Sequence, residues 1–126
     1  MKVPILSKSA PAPIGPYSQA IRAGDWLFVS GTLGIDPATG ALVPGDAAAQ
    51  ASKALANLTE ILKSSGATPR MVVKTTIFLK DMNDFANVNE VYGQVFDRDP
   101  PARSTVQAAK LPKDALVEID AVAYLK

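Results

Sequence analysis

The sequence predicts an α+β domain: one mostly antiparallel sheet with two helices on one face. Three observations carry that reading. The chain has 126 residues, the length of a single domain spanning 1–126. Two segments place apolar residues at helical spacing, with strand-like segments before, between and after them. The resulting order, β-β-α-β-α-β-β, is satisfied by a sheet that buries one face under both helices.

Residues 1–16 hold prolines at 4, 11, 13 and 16, so this arm is expected to be extended rather than helical. Tyr17 to Ala23 reads as a first strand and Gly24-Asp25 as a turn. Trp26 to Ser30 is apolar on both faces, which predicts a second, buried strand and hence a hairpin. Gly31, Gly34, Pro37 and Gly40 then punctuate a loop that can include a short ribbon. Asp46 is placed to cap a helix whose stripe is Ala51, Ala54, Leu55, Leu58, Ile61 and Leu62, with Gly66 as its stop. Met71 to Lys80 reads as a long strand with Val73, Thr75, Ile77 and Leu79 on one face. Asp81 or Asp84 can cap the second helix, whose stripe is Val88, Val91, Tyr92, Val95 and Phe96, and Pro100-Pro101 lies beyond it. Arg103 to Ala109 and Val117 to Leu125 are the final strands, joined by the turn-like Leu111-Pro112-Lys113-Asp114. In the last strand Val117, Ile119, Ala121, Ala123 and Leu125 suit the helix-covered face. Glu118, Asp120, Val122 and Tyr124 make the other face mixed, as an interface with polar groups would be.

Composition narrows the function classes. The apolar fraction is 48% and the mean hydropathy +0.11, rich for a small domain and consistent with apolar surface covered by another subunit. The net charge is +1 and the charges are dispersed, without the basic stripe of a nucleic-acid binder. No apolar run approaches the ~20 residues a membrane helix needs. The proline-broken start has neither the apolar stretch of a secretory signal nor the arginines of a transit peptide, so a cytoplasmic location is expected. Cysteine and histidine are both absent. That removes disulfides, thiolate chemistry, the usual zinc sites and every imidazole proton shuttle. Any catalysis must use carboxylates, Arg, Lys, Tyr, hydroxyls, backbone groups and water.

Few residues fit such chemistry. Arg103, opening a strand after Pro100-Pro101-Ala102, can grip a carboxylate with two parallel hydrogen bonds; a surface or interface salt bridge is the alternative. Glu118 lies among apolar neighbours in Val117-Glu118-Ile119, where a raised pKa would suit a proton shuttle; a structural ion pair is the alternative. Tyr17 can offer a hydroxyl to a substrate or simply pack. Ser30-Gly31 either lets backbone approach a ligand or only turns the chain. Other patterns fail. Asp81-Met82-Asn83-Asp84 starts like a calcium loop but has Ala86 where glycine is required and Tyr92 at the twelfth position. Asn57-Leu58-Thr59 is a glycosylation sequon inside the first helix. Glycines 31, 34 and 40 match neither a dinucleotide nor a phosphate-loop spacing.

Taken together, the segments carry more than each alone. Ala12-Pro13-Ile14-Gly15-Pro16-Tyr17-Ser18-Gln19-Ala20, Val29-Ser30-Gly31 and Asp36-Pro37-Ala38-Thr39-Gly40 resemble signatures of the Rid (YjgF/YER057c/UK114) family. So do Val73 to Asp81, Asp84-Phe85-Ala86-Asn87-Val88-Asn89, Pro101-Ala102-Arg103-Ser104, Leu111-Pro112-Lys113-Asp114 and Val117-Glu118-Ile119-Asp120-Ala121. The matches are in order and span nearly the whole chain. The resemblance is to the archetypal deaminase branch, since the arginine and the late glutamate are both present. It implies a chorismate-mutase-like fold and a homotrimer whose sheets face inward around a central barrel. It also implies inter-subunit clefts for small carboxylates, and hydrolysis of 2-imino acids to 2-keto acids and ammonia without cofactor or metal. On this sequence Arg103 would hold the substrate carboxylate, Glu118 would activate water, and Tyr17 would contact the imino group. Ser30 and Gly31 would line the pocket, with Asn89 and Thr105 as further substrate-binding candidates. Thr105 should share a strand face with Arg103. Thr32 stands where many members have glutamine, and Thr105 where many bacterial members have cysteine.

Two other functions compete with the deaminase. A ribonuclease or translation inhibitor would bind nucleic acid, which the near-neutral charge disfavours. A non-enzymatic trimer, binding small ligands or acting as a chaperone-like holdase, is the other; Arg103 and Glu118 together argue against a pure scaffold, and ligand binding without turnover would favour it.

Overall fold

The prolines keep the N-terminal arm extended, and its beginning joins the sheet. In the computed structural model, which describes residues 1–126, Lys2–Ile5 forms strand β1 and pairs antiparallel with β2 (Ala20–Ala23). Pro4 is tolerated there because β1 is an edge strand. The arm was expected to be only extended, so this adds a sixth strand. β2 is correspondingly shorter than the expected Tyr17–Ala23, leaving residues 17–19 outside the ladder.

Gly24 turns with φ +62°, and β3 (Trp26–Leu33) returns antiparallel to β2. β3 runs through Gly31 instead of ending at Ser30, and the expected ribbon beyond it is a single bridge between Ile35 and Leu42. Helix α1 (Ala47–Ser64) starts at Asp46, whose carboxylate accepts from the Ala49 N–H at 3.0 Å. It ends in a Schellman motif: Gly66, at φ +73°, donates to the Lys63 carbonyl and Ala67 to that of Leu62. Strand β4 (Val72–Leu79) follows. Asp81 caps a single turn of 3₁₀-helix leading into α2 (Phe85–Val95). Strand β5 (Ala102–Gln107) and, after a turn at Pro112–Asp114, β6 (Val117–Tyr124) complete the fold.

The sheet order is β1-β2-β3-β6-β4-β5. The last two strands do not pair with each other. β6 inserts antiparallel between β3 and β4, and β5 runs parallel to β4 at the far edge. One sheet face packs on the helices: Leu27, Val29, Ile77, Leu79, Val117, Ile119, Ala121 and Ala123 join the α1 stripe and Val88, Tyr92 and Phe96 in the main core. Every member of the predicted α1 stripe is buried, as the 3.6-residue period requires.

Two expectations about the strands need correction: Val73 does not share the face of Thr75, Ile77 and Leu79, and the second strand is not buried on both faces. Val73 is exposed and Val72 buried, because a bulge between Val72 and Lys74 shifts the phase of β4 by one residue. The second strand was expected to be buried on both faces. Leu27 and Val29 are, but Trp26 and Phe28 are 44% and 48% exposed. They stand on the helix-free face opposite Tyr124 and Val122, and the Trp26 and Tyr124 rings lie 4.8 Å apart.

Candidate active site

Between Val29 and Thr32, β3 carries two residues, Ser30 and Gly31, where β6 has only Asp120. A bulge of this kind bends a strand and re-aims its side chains. Here it brings the Gly31 backbone against Glu118: a Cβ on Gly31 would lie 2.6 Å from Glu118 Oε1 and 2.7 Å from Cδ. Gly31 is therefore needed for close approach, not for a turn. The Ser30 hydroxyl donates to the Ser18 carbonyl at 2.6 Å, and its backbone N–H to the Gln19 carbonyl. Burial raises the pKa of the Glu118 carboxyl above the ordinary value, and the like charge of Asp120 raises it further.

Glu118, Ser30 and Gly31 line a cavity of about 340 Å³ whose outer wall is the arm from Pro11 to Ile14, together with Tyr17. The rest of its lining includes Thr32, Leu33, Ile35 and Ile61. The Tyr17 hydroxyl accepts from the Ile14 N–H at 3.2 Å, so ring and arm hold each other. The arm itself is held by buried Gln19. Its side-chain oxygen accepts from the Ser7 N–H at 2.6 Å, and its amide nitrogen donates to the carbonyls of Ser7 and Pro11 at 3.1 and 2.7 Å.

Arg103 lies elsewhere. Opposite Thr75 in the β4–β5 ladder, it points to the helix side of the sheet, whereas Glu118 sits opposite Phe78 on the other side. Thr105 shares the Arg103 face, as expected, and pairs with Ile77; its hydroxyl oxygen is buried without a partner. Arg103 lines a second cavity of about 380 Å³ with Asn89, Tyr92 and Pro101. Its Cζ lies over the Tyr92 ring at 4.8 Å and the Phe85 ring at 5.6 Å from the centroids. Burial raises the Tyr92 pKa, its hydrogen bond with Thr75 and the Arg103 charge opposing the rise.

The candidate residues thus form two clusters in one chain: Tyr17, Ser30, Gly31 and Glu118 in the first cavity, Asn89 and Arg103 in the second, with Thr105 beside Arg103 on the same face of β5 but outside the cavity lining. No group of three or more carboxylates is gathered as a metal would require. Sequence reading overlooked three supporting residues. Gln19 holds the arm. Asn57 donates to the Leu33 and Ile35 carbonyls at 3.0 and 2.8 Å, and Gln50 accepts from the Leu116 N–H at 2.8 Å. In α1 the only available signal was an amide on the apolar stripe side of the helix.

A cavity of this size with a half-buried carboxylate in its wall, on a small α+β fold, has the form of a small-molecule site. Residues 7–125 match the model of the family described as endoribonuclease L-PSP. A RutC family protein of Pyrococcus horikoshii is 51% identical over 124 residues, 98% of each chain. A 2-iminobutanoate/2-iminopropanoate deaminase of Bos taurus is 51% identical over 119 residues, 94% of this chain and 87% of that one. The crystal structure of E. coli TdcF with bound serine superposes with a TM-score of 0.94 at 41% identity, over 98% of this chain and 99% of that one. The chain belongs to this endoribonuclease L-PSP, or Rid, family.

Proposed function

We propose that the protein hydrolyses 2-imino acids, such as 2-iminobutanoate and 2-iminopropanoate, to 2-keto acids and ammonia, limiting metabolite damage, at clefts shared between subunits of a homotrimer. The observation that carries this is the placement of Glu118 against Gly31, a carboxylate with a raised pKa at the polar end of a small cavity. Deaminase relatives about half identical to the chain support the same reaction. Arg103 and Glu118 on opposite sheet faces support a shared cleft, because one small substrate reaches both only where two chains meet. The open face bearing Trp26, Phe28 and Tyr124 supports burial against further copies.

In this reading Arg103 of one subunit pairs with the substrate carboxylate through its planar fork. That fixes the imino carbon beside Glu118 of the next. Glu118 takes a proton from water as the water oxygen bonds to that carbon and the C=N π electrons move to nitrogen. The same proton then passes to the nitrogen. Glu118 next takes the remaining hydroxyl proton as the carbonyl forms and the C–N bond breaks; ammonia leaves, and the carboxyl passes that proton to the ammonia or to solvent. Tyr17, which lines the same cavity, would offer its hydroxyl to the imino nitrogen. A protonated imine is already electrophilic, so proximity and one base suffice. The family description names a ribonuclease, but a net charge of +1 gives little attraction for a phosphate backbone.

The test generates 2-iminobutanoate in situ with an amino-acid oxidase and traps the remainder with semicarbazide. Wild type removes the imine before trapping; Arg103→Ala and Glu118→Ala do not. No acceleration by folded wild type would refute the activity.

A further inference from the structure

We propose that Phe85 and Tyr92 are positioning residues for Arg103, holding the guanidinium by its face so that its in-plane N–H donors stay free for a planar carboxylate. This rests on the reading of Arg103 as the carboxylate clamp. The structure's one ion pair joins Lys110 and Asp114, so no acidic side chain neutralises Arg103 or occupies its fork. Two rings hold it instead, at 4.8 Å and 5.6 Å from Cζ to the centroids. Ring faces attract a cation through their quadrupole without consuming a hydrogen-bond donor. A carboxylate partner would fix the arginine too, but in the geometry a ligand needs.

The rings are themselves fixed. Phe85 and Tyr92 are seven residues apart in α2, two helical turns, and so share a face. The Tyr92 hydroxyl bonds Thr75 Oγ1 at 2.6 Å, and Thr75 is the ladder partner of Arg103. Tyr92 also packs on Phe96, with centroids 4.6 Å apart. Strand, helix and guanidinium are thereby locked in one arrangement before any ligand arrives, which reduces the ordering lost on binding. Tyr92 is buried at 5%, whereas Phe85 is 40% exposed, so Phe85 can be altered with little damage to the core.

Imine turnover by Phe85→Leu is expected to show KM raised about two- to fivefold, the loss of one exposed cation–π contact, with kcat near wild type. Phe85→Tyr, which keeps a ring face over the guanidinium, keeps wild-type KM. An unchanged KM in Phe85→Leu, or a loss confined to kcat, overturns the proposal. The Arg103 Nε–Hε resonance, titrated with 2-oxobutanoate, reads the same contact independently of turnover. A lost ring-current shift and weaker titration in Phe85→Leu support the cage even if wild type proves inactive on imines. An unchanged shift and affinity sink it even if wild type is active.

Discussion

Glu118 sits where its charge is opposed, first by burial and then by Asp120. Its folded pKa therefore lies above the unfolded value, and the folded chain holds the proton to higher pH. The resulting cost to stability is absent below the unfolded pKa and complete above the folded one. Glu118→Gln is accordingly expected to raise Tm at neutral pH and to leave it nearly unchanged at pH 4, which paired thermal melts would reveal. A base with a raised pKa also moves the acid limb of kcat/KM above the ordinary glutamate value of about 4.3. Asp120→Asn removes the like charge and should move that limb down, while the asparagine oxygen still accepts the Thr76 N–H that Asp120 binds at 3.0 Å. Gly31 makes a sharper prediction. Gly31→Ala leaves the fold intact, because the flexible carboxylate end can move away, but the displaced base should lower kcat by about 10²-fold. Wild-type kcat in Gly31→Ala would dismiss Glu118 as the base.

At the scale of elements, legibility followed periodicity. The α1 stripe, its Asp46 cap and its Gly66 stop were all readable, because helix geometry repeats within the segment that encodes it. In β4 the period-2 pattern put Val73 on one face with Thr75, Ile77 and Leu79, but a bulge turned it to the other; bulges depend on the partner strand and carry no local signature. Likewise, the spacing of Arg103 and Thr105 placed them on one face, but which face required the parallel β4–β5 register. Buried amides were invisible for the same reason: the Asn57 acceptors lie 22 and 24 residues away in the chain. Asn57→Leu should cost about 2–3 kcal/mol by urea unfolding, since it leaves two carbonyls without donors. A loss under half of that would mean water replaces the amide.

For the whole molecule, the apolar richness of the sequence pointed to a second chain, but composition could not say which strand face it covers. Trp26, Phe28 and Tyr124 are exposed on the helix-free side, so the proposed subunit contact falls on that face. If clefts are shared, each needs Arg103 from one chain and Glu118 from another. Co-expressed Arg103→Ala and Glu118→Ala chains, each inactive alone, should then recover activity in about one cleft in four by random assembly. No recovery in verified mixed oligomers would place both residues in one chain's site.

The sheet order has a consequence for synthesis. β1-β2-β3 on one side and β4-β5 on the other are joined only through β6, which is the last strand in the chain. While the chain is being made, the two halves can form locally, yet neither can close on the other until β6 has left the ribosome. Until then the facing edges of β3 and β4 carry unpaired backbone N–H and C=O groups, so the nascent protein presents two open strand edges, each a template for aggregation.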